Sequence, residues 1–162
     1  MGLTGDFRKL ARLGVNLGRF ATGEVERTLA KKLGEAALQL VKREFEGGHD
    51  PYGTPWKPLS SVTIQRSPRR MGGKVLLDTG RLRRSFHRLP VPNGFVITSG
   101  VKYAAIHNFG GMAGRGRKVR IPRRQILPDR ITGLPASWRR VFVAEAGDIV
   151  RRTLRRRTLR RR

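Results

Sequence analysis

Asp78, Thr79 and Gly80 follow Val75, Leu76 and Leu77, the order in which retroviral-type aspartic peptidases present a catalytic carboxylate. That chemistry needs two such triplets face to face, sharing one proton because two close carboxylates cannot both ionise. With one triplet, the chain would have to act as a symmetric dimer. The residues that follow, Arg81-Leu82-Arg83-Arg84, oppose this, since positive charge beside Asp78 favours the ionised form. The spacing of Leu82 and Phe86 predicts a short helix entered through Asp78 or Thr79 as its cap, so the triplet turns the chain rather than cutting another.

Other reactive residue types are equally isolated. Ser85 and His87 are two apart, would project to different faces of a helix and have no carboxylate obviously paired with them. Gly110, Gly111, Gly114 and Gly116 lack the Lys-Ser or Lys-Thr of a phosphate-cradling loop. Arg115, Arg117 and Lys118 in that stretch suit contacts to phosphate or to an acidic partner, or a solvated loop. His107, inside Tyr103-Ala-Ala-Ile-His-Asn-Phe-Gly110, reads as a hydrogen-bonded structural group. The chain has no cysteine, which removes disulfides, thiol catalysis and Cys-ligated zinc. His49, His87 and His107 are far apart in sequence, so neither a metal nor another cofactor is expected.

The elements that must position these residues follow from periodicity. Phe7, Leu10, Leu13 and Leu17 have helical spacing, interrupted by Gly14 and Gly18. Val25, Leu29, Leu33, Ala37, Leu40, Val41 and Phe45 form one stripe of a longer helix, capped by Thr22 and ended by Gly47-Gly48. The segment from His49 to Arg66, with three prolines and Gly53, reads as a turn-rich loop anchored by Tyr52 and Trp56. Ser67 to Lys74 reads as an exposed, flexible basic loop, and Val75 to Leu77 as a short extended run. Runs 87–91 and 95–99 flank Pro92-Asn93-Gly94, a hairpin signal. A helical turn stopping at Gly110, a mobile basic loop, a strand at Val119 to Pro122 and an extended piece at 126–129 come next. From Ser137 the positions Trp138, Val141, Phe142, Ala146, Ile149, Val150 and Leu154 are helical again. The expected fold is α+β: a long N-terminal helix, a small antiparallel sheet with short helices, and a C-terminal helix. One domain over 1–150 is expected, followed by an Arg-rich tail at 151–162.

Charge is the extreme feature. Among 162 residues, 36 Lys and Arg face 11 Asp and Glu, a formal +25, which calls for a polyanion, acidic partners or salt to offset it. In the tail, Arg151, Arg152, Arg155, Arg156, Arg157, Arg160, Arg161 and Arg162 accompany two leucines. Like charges at that density are expected to leave the last turns disordered unless an anion holds them. No apolar run reaches the ~20 residues of a membrane span, the N-terminus lacks a signal-type apolar core, and Asp6 stands where a myristoylation signal has Ser or Thr. Synthesis and folding in a cytoplasm are expected.

The order of motifs resembles the phage virion morphogenesis family, the Mu-like tail-completion or head–tail joining proteins of tailed phages. The resemblance covers about Phe45 to Leu127. It lies in Asp50-Pro51 with Gly53 and Trp56; Asp78-Thr79-Gly80 with Leu82 and Ser85; Tyr103-Ala104 with His107, Phe109 and Gly110; and Ile121-Pro122 with Arg123. Where family members usually continue with Pro, an aromatic residue and Leu-Gly, this chain has Arg124-Gln125-Ile126-Leu127-Pro128. The resemblance implies a non-catalytic virion protein, commonly a hexameric ring at the head-proximal end of the tail. Its neighbours would be connector or stopper proteins on one side and tail tube or sheath proteins on the other. The sheet would build the ring, assembled in the host cytoplasm around a DNA channel, and the Arg-rich tail would bind DNA without reading sequence or dock on acidic proteins. A basic nucleic-acid-binding protein of ribosomal or nucleoid type explains the charge but not the motif series; the peptidase stands third.

Overall fold

The computed structural model describes residues 2–4, 23–67, 70–92 and 94–159. The helix expected around Phe7 to Leu17, Thr22 as a cap, and Arg160 to Arg162 lie outside them. In chain order the elements are β1 (Gly2–Thr4), α1 (Gly23–Gly47), α2 (Ser61–Arg66), α3 (Arg81–Arg84), β2 (Phe86–Val91), β3 (Gly94–Ser99), α4 (Ala104–Phe109), β4 (Gly111–Ala113), a 3-10 turn (Arg115–Arg117), β5 (Val119–Ile121) and α5 (Ala136–Leu159). This is the α+β architecture that the periodicities predict.

The longest apolar stripe organises the rest. Leu33, Ala37, Leu40, Val41 and Phe45 of α1 are buried, Glu24 and Glu26 favour its first turn electrostatically, and Gly48 ends it in the left-handed region at φ 68°. One face of α1 meets β2 and β3, and α5 packs along it as well. Gly34 lies inside this helix, where glycine costs about 1 kcal/mol relative to alanine. The sheet requires it there: a Cβ at Gly34 would stand 2.1 Å from Cδ of Arg88 and 3.1 Å from the Phe95 ring.

The main sheet has the order β1-β3-β2 and is antiparallel. Its hairpin runs in register from Phe86↔Ser99 to Val91↔Gly94, as expected around Pro92; Asn93 lies outside the described residues. Phe86, Phe95 and Ile97 are buried, while Leu89 and Val91 stay exposed. Phe45 packs edge-on to Trp56 at 5.3 Å and against Phe86 at 5.9 Å, and Phe142 of α5 meets both Phe95 and Trp138.

Four local expectations are corrected. Residues 61–66, read as loop, form α2, because Ser60 caps it by accepting from the Thr63 N–H. Val75 to Leu77 is a turn closed by Leu77 N–H on Lys74 O at 3.1 Å, with Leu76 at φ 62°. The stretch after Gly110 is not a featureless loop: β4 and β5 pair there as a second hairpin, from Gly111↔Ile121 to Ala113↔Val119. The C-terminal arginines remain helical through Leu159. Packing of Trp138, Phe142 and Ile149 nucleates α5, after which each added residue costs little, arginine is a good helix former and cations suit a helix C-terminus. An Arg151–Asp148 ion pair and hydroxyl bonds from Thr153 and Thr158 to the carbonyls one turn back accompany these last turns.

Glu44, on the buried side of α1, is only 3 % exposed. Its Oε1 accepts a 2.8 Å hydrogen bond from Trp138 Nε1, joining α1 to α5, and its Oε2 is buried without a partner. Burial pushes its carboxyl from 4.5 up to about 8, against the Trp138 hydrogen bond and with help from Asp50. The folded state therefore holds this proton more tightly than the unfolded chain, so stability is fullest below 4.5 and declines as pH rises toward 8. Glu44→Gln should remove that decline, gaining on the order of a few kcal/mol over the native chain at pH 9 and little at pH 4. Urea unfolding at both pH values checks it.

Candidate functional site

The motif residues converge because hydrogen bonds staple four distant segments together. Asp50 Oδ1 accepts from the N–H groups of Tyr52 and Thr54, both at 2.8 Å, folding the Pro51-to-Gly53 stretch into a turn with Gly53 at φ 91°. Tyr52 Oη donates to Gly133 O and Trp56 Nε1 to Gln125 O, each at 2.8 Å. Both aromatic residues thus anchor the loop, as the sequence suggests.

The segment that departs from the family pattern is held equally firmly. Asn108 Oδ1 accepts from both Ile126 and Leu127 N–H, at 2.8 and 3.0 Å, and these two side chains are buried in the core. Arg124 N–H donates to His107 O at 2.7 Å, and its guanidinium donates to the carbonyls of Lys57 and Pro58. Burial pushes that guanidinium below its ordinary value. Gly110 has φ 73°, and a Cβ there would lie 2.9 Å from Arg123 N, so the close crossing of these chains excludes a side chain. Arg123 pairs with Asp129 at 3.1 Å, while Pro122 precedes it at the end of β5.

The triplet behaves differently from its expected cap. Gly80, at φ 73°, is the N-cap of α3 and supplies no side-chain bond; Thr79 Oγ1 accepts weakly from Arg81 N–H at 3.4 Å. Asp78 Oδ2 instead receives Arg70 at 2.6 Å, so the loop read as free is tied to the triplet. Ser85 Oγ donates to Leu82 O at 2.6 Å and meets Ser99 Oγ at 2.7 Å, joining α3 to β3, while His87 Nδ1 meets the Ser85 carbonyl at 3.1 Å rather than its hydroxyl. Leu82 is buried beneath α3.

Asp78, Thr79, Gly80, Arg81 and Leu82 line one cleft of about 250 Å³ together with Tyr103, His107, Arg124, Arg70 and Lys74. Two motif blocks thus meet in it, and Asp78 is the only carboxylate among its described lining residues. His107 lies edge-on to Tyr103 at 6.0 Å, and its imidazole is pushed below its ordinary value by burial and then by Arg124. Its Nδ1 and the Nε of Arg70 are buried without hydrogen-bond partners. A peptidase pair would need a second carboxylate where this cleft presents cations.

The remaining cations lie elsewhere. Arg115, Arg117 and Lys118 are exposed at the tip of the β4–β5 hairpin, Arg151, Arg152 and Arg155 are exposed on α5, and none of them lines the cleft. Phe109 is exposed at the end of α4. Among the described residues no group of three or more His, Cys, Asp or Glu could hold a metal ion, and no helix is long and apolar enough to cross a membrane.

The sequence profile of the phage virion morphogenesis family matches residues 8–141. The chain belongs to that family. The match extends well beyond the 45–127 region in which the motifs are recognisable, taking in all of α1 and the start of α5. The chain is also 36% identical over 112 residues to the Mu-like prophage FluMu G protein 2 of Haemophilus influenzae (strain ATCC 51907 / DSM 11121 / KW20 / Rd), covering 68% of this chain and 72% of that protein. No solved structure matches it. Membership identifies a phage virion morphogenesis protein, and the motif residues above mostly fix the backbone of this chain.

Sequence reasoning passed over Asn108, Arg124, Arg70 and Glu44. Asn108 sat inside a quoted motif as a spacer, and its two-fold acceptor role appears only once residues 126 and 127 are beside it.

Two substitutions separate structural weight from motif prominence. Asp78→Asn breaks an ion pair whose side chains are about one-third exposed, and should lower unfolding stability by under about 1 kcal/mol. Asn108→Ala leaves two buried N–H groups without acceptors and should cost roughly 2–5 kcal/mol. Parallel urea denaturation of the two variants measures both.

Proposed function

We propose that the protein is a non-enzymatic structural component of the phage neck, forming a ring at the head-proximal end of the tail around the DNA channel, as a tail-completion or head–tail joining subunit. Membership of the virion morphogenesis family is the observation that carries this reading. Two features of the fold support it. The sheet exposes Leu89 and Val91 on its β2 edge strand, with Leu89 46 % exposed, an apolar strip suited to burial against a second subunit. Moreover α5 runs 24 residues, about 36 Å, and its last ten or so residues continue past Ile149, the last buried position among the described side chains, as an arginine-rich rod.

In a ring those rods repeat with the subunit number, and the genome's phosphates are the available polyanion. Contact would be non-specific, because exposed helical arginines such as Arg151, Arg152 and Arg155 supply countercharge to phosphates without a base-reading contact. The β4–β5 hairpin carries Arg115, Arg117, Lys118 and Arg120 beside exposed Met112 and Val119. This mixture suits acidic surfaces of connector, tube or sheath proteins better than bare phosphate.

Mass photometry of the purified chain should show a closed oligomer, expected to be a hexamer, and Leu89→Glu with Val91→Glu should return it to monomers with little change in thermal midpoint. A uniformly monomeric native chain that binds DNA tightly would favour the nucleoid-type reading instead. Removing Arg151 to Arg162 should flatten the dependence of log K for duplex DNA on log salt by several units, at about 0.9 per phosphate contact. An unchanged slope would take DNA away from α5.

A further inference from the structure

The cleft between α3 and α4 carries hydrogen-bonding capacity that the chain itself does not use. Three buried side-chain atoms in the described residues lack partners, and two of them, Arg70 Nε and His107 Nδ1, belong to residues lining this one cleft. Buried polar atoms without a partner are rare in folded proteins; Arg70 Nε–H can only donate, and His107 Nδ1 donates in the tautomer that places its proton there. Of the other lining cations, Lys74 donates to Glu46 O and Arg124 to the carbonyls of Lys57 and Pro58. Arg81 makes no side-chain hydrogen bond or ion pair among the described residues, and it is exposed at the rim. The opposing carboxylate, Asp78, already receives Arg70. What the cleft lacks is an acceptor carrying negative charge.

Its shape narrows the choice. A volume of about 250 Å³ with Leu76 and Leu77 in the lining accommodates a short side chain and its flanking residues. A DNA duplex presents phosphates on broad convex ridges and is met on open basic surfaces, such as α5. Leu76 is held at φ 62° in this wall, a conformation that persists for a non-glycine residue only where its surroundings over-determine it. A second copy of the chain carries the same +25 and is repelled at long range, which favours a different, more acidic protein over the exposed Glu24 and Glu26 of a copy.

We propose that this cleft is a receptor for an Asp or Glu side chain, flanked by apolar residues, that a different protein of the particle inserts between α3 and α4. Arg81 would meet the carboxylate at the rim, and small rotations of the Arg70 and His107 side chains would uncover their two orphaned nitrogens, which are buried in the free chain, as it enters. The inference rests on the reading that the chain works inside an assembled particle, and it adds the chemistry of one neighbour.

The test uses the full-length chain, 15N-labelled, with Arg70 Nε–H and the His107 ring nitrogens as reporters. The probe is the blocked tripeptide acetyl-Leu-Asp-Leu-amide, compared with its Asn counterpart, inorganic phosphate and a 20-base-pair duplex. Saturable shifts at both reporters with the Asp peptide, weakened roughly tenfold or more by the Asn exchange and again by Arg81→Ala, are expected; Arg81→Ala should leave the thermal midpoint unchanged. Equal response to the Asn peptide overturns the proposal, as does silence at tens of millimolar. A response to phosphate or duplex that exceeds the Asp peptide's overturns it too. Oligomer measurements on the same samples keep the two readings apart: a silent cleft in a chain that forms rings defeats only this inference, whereas a responsive cleft in a permanent monomer defeats the ring.

Discussion

Phe45 is the point on which the structure depends. It is fully buried near the C-terminal end of α1, touching Trp56 from the following loop and Phe86 from the first strand of the hairpin. One residue earlier, Glu44 reaches Trp138 of α5. Two consecutive positions of one helix therefore fix the loop, the sheet and the last helix relative to each other. A chain with this much positive charge resists compaction, and a helix that gathers every apolar surface onto one stripe concentrates the opposing hydrophobic term where it acts on all elements together.

The same economy explains why residue types familiar from active sites take structural roles in this chain. Asp, Ser, His and Asn are useful in active sites because they are short and form strong directional bonds, and those properties serve equally to hold loops. Asp50 organises a turn, Ser85 binds α3 to β3, and Asn108 receives two backbone N–H groups. Asp78 departs from this pattern: its partner is a guanidinium from a loop, and its neighbours line a cleft. There polar groups remain without partners, so recognition is better sought in the whole cleft than in the conspicuous triplet alone.

Charge is divided by location. Inside, Arg124 is solvated by carbonyl oxygens, with no carboxylate paired to it among the described residues, which is tolerable because the guanidinium presents several donors in a fixed plane. Outside, the hairpin tip and Arg151, Arg152 and Arg155 of α5 keep their cations in solvent. In the proposed particle, the outer groups supply attraction at a distance and the inner ones shape a specific contact.

From the sequence came the elements with strong periodicity: α1, the β2–β3 hairpin, α4 with its glycine stop, and α5. The anchoring roles of Tyr52 and Trp56 were also legible, because large aromatic residues in a proline-rich loop have few other places to go. Segments without periodicity needed tertiary contacts. Ser60 capping α2, the paired strands around Arg115 to Arg117, and the turn at Leu76 depend on single hydrogen bonds or on strain that no local pattern announces. Helicity past Ile149 depends on a packed nucleus upstream, whereas local composition alone points to mutual repulsion. Above all, the cleft joins residues 70–82 to 103–107 and 124, and its unpartnered nitrogens exist only because folding withdrew them from water. A linear sequence specifies which groups can form hydrogen bonds; only the folded chain decides which of them are left without one.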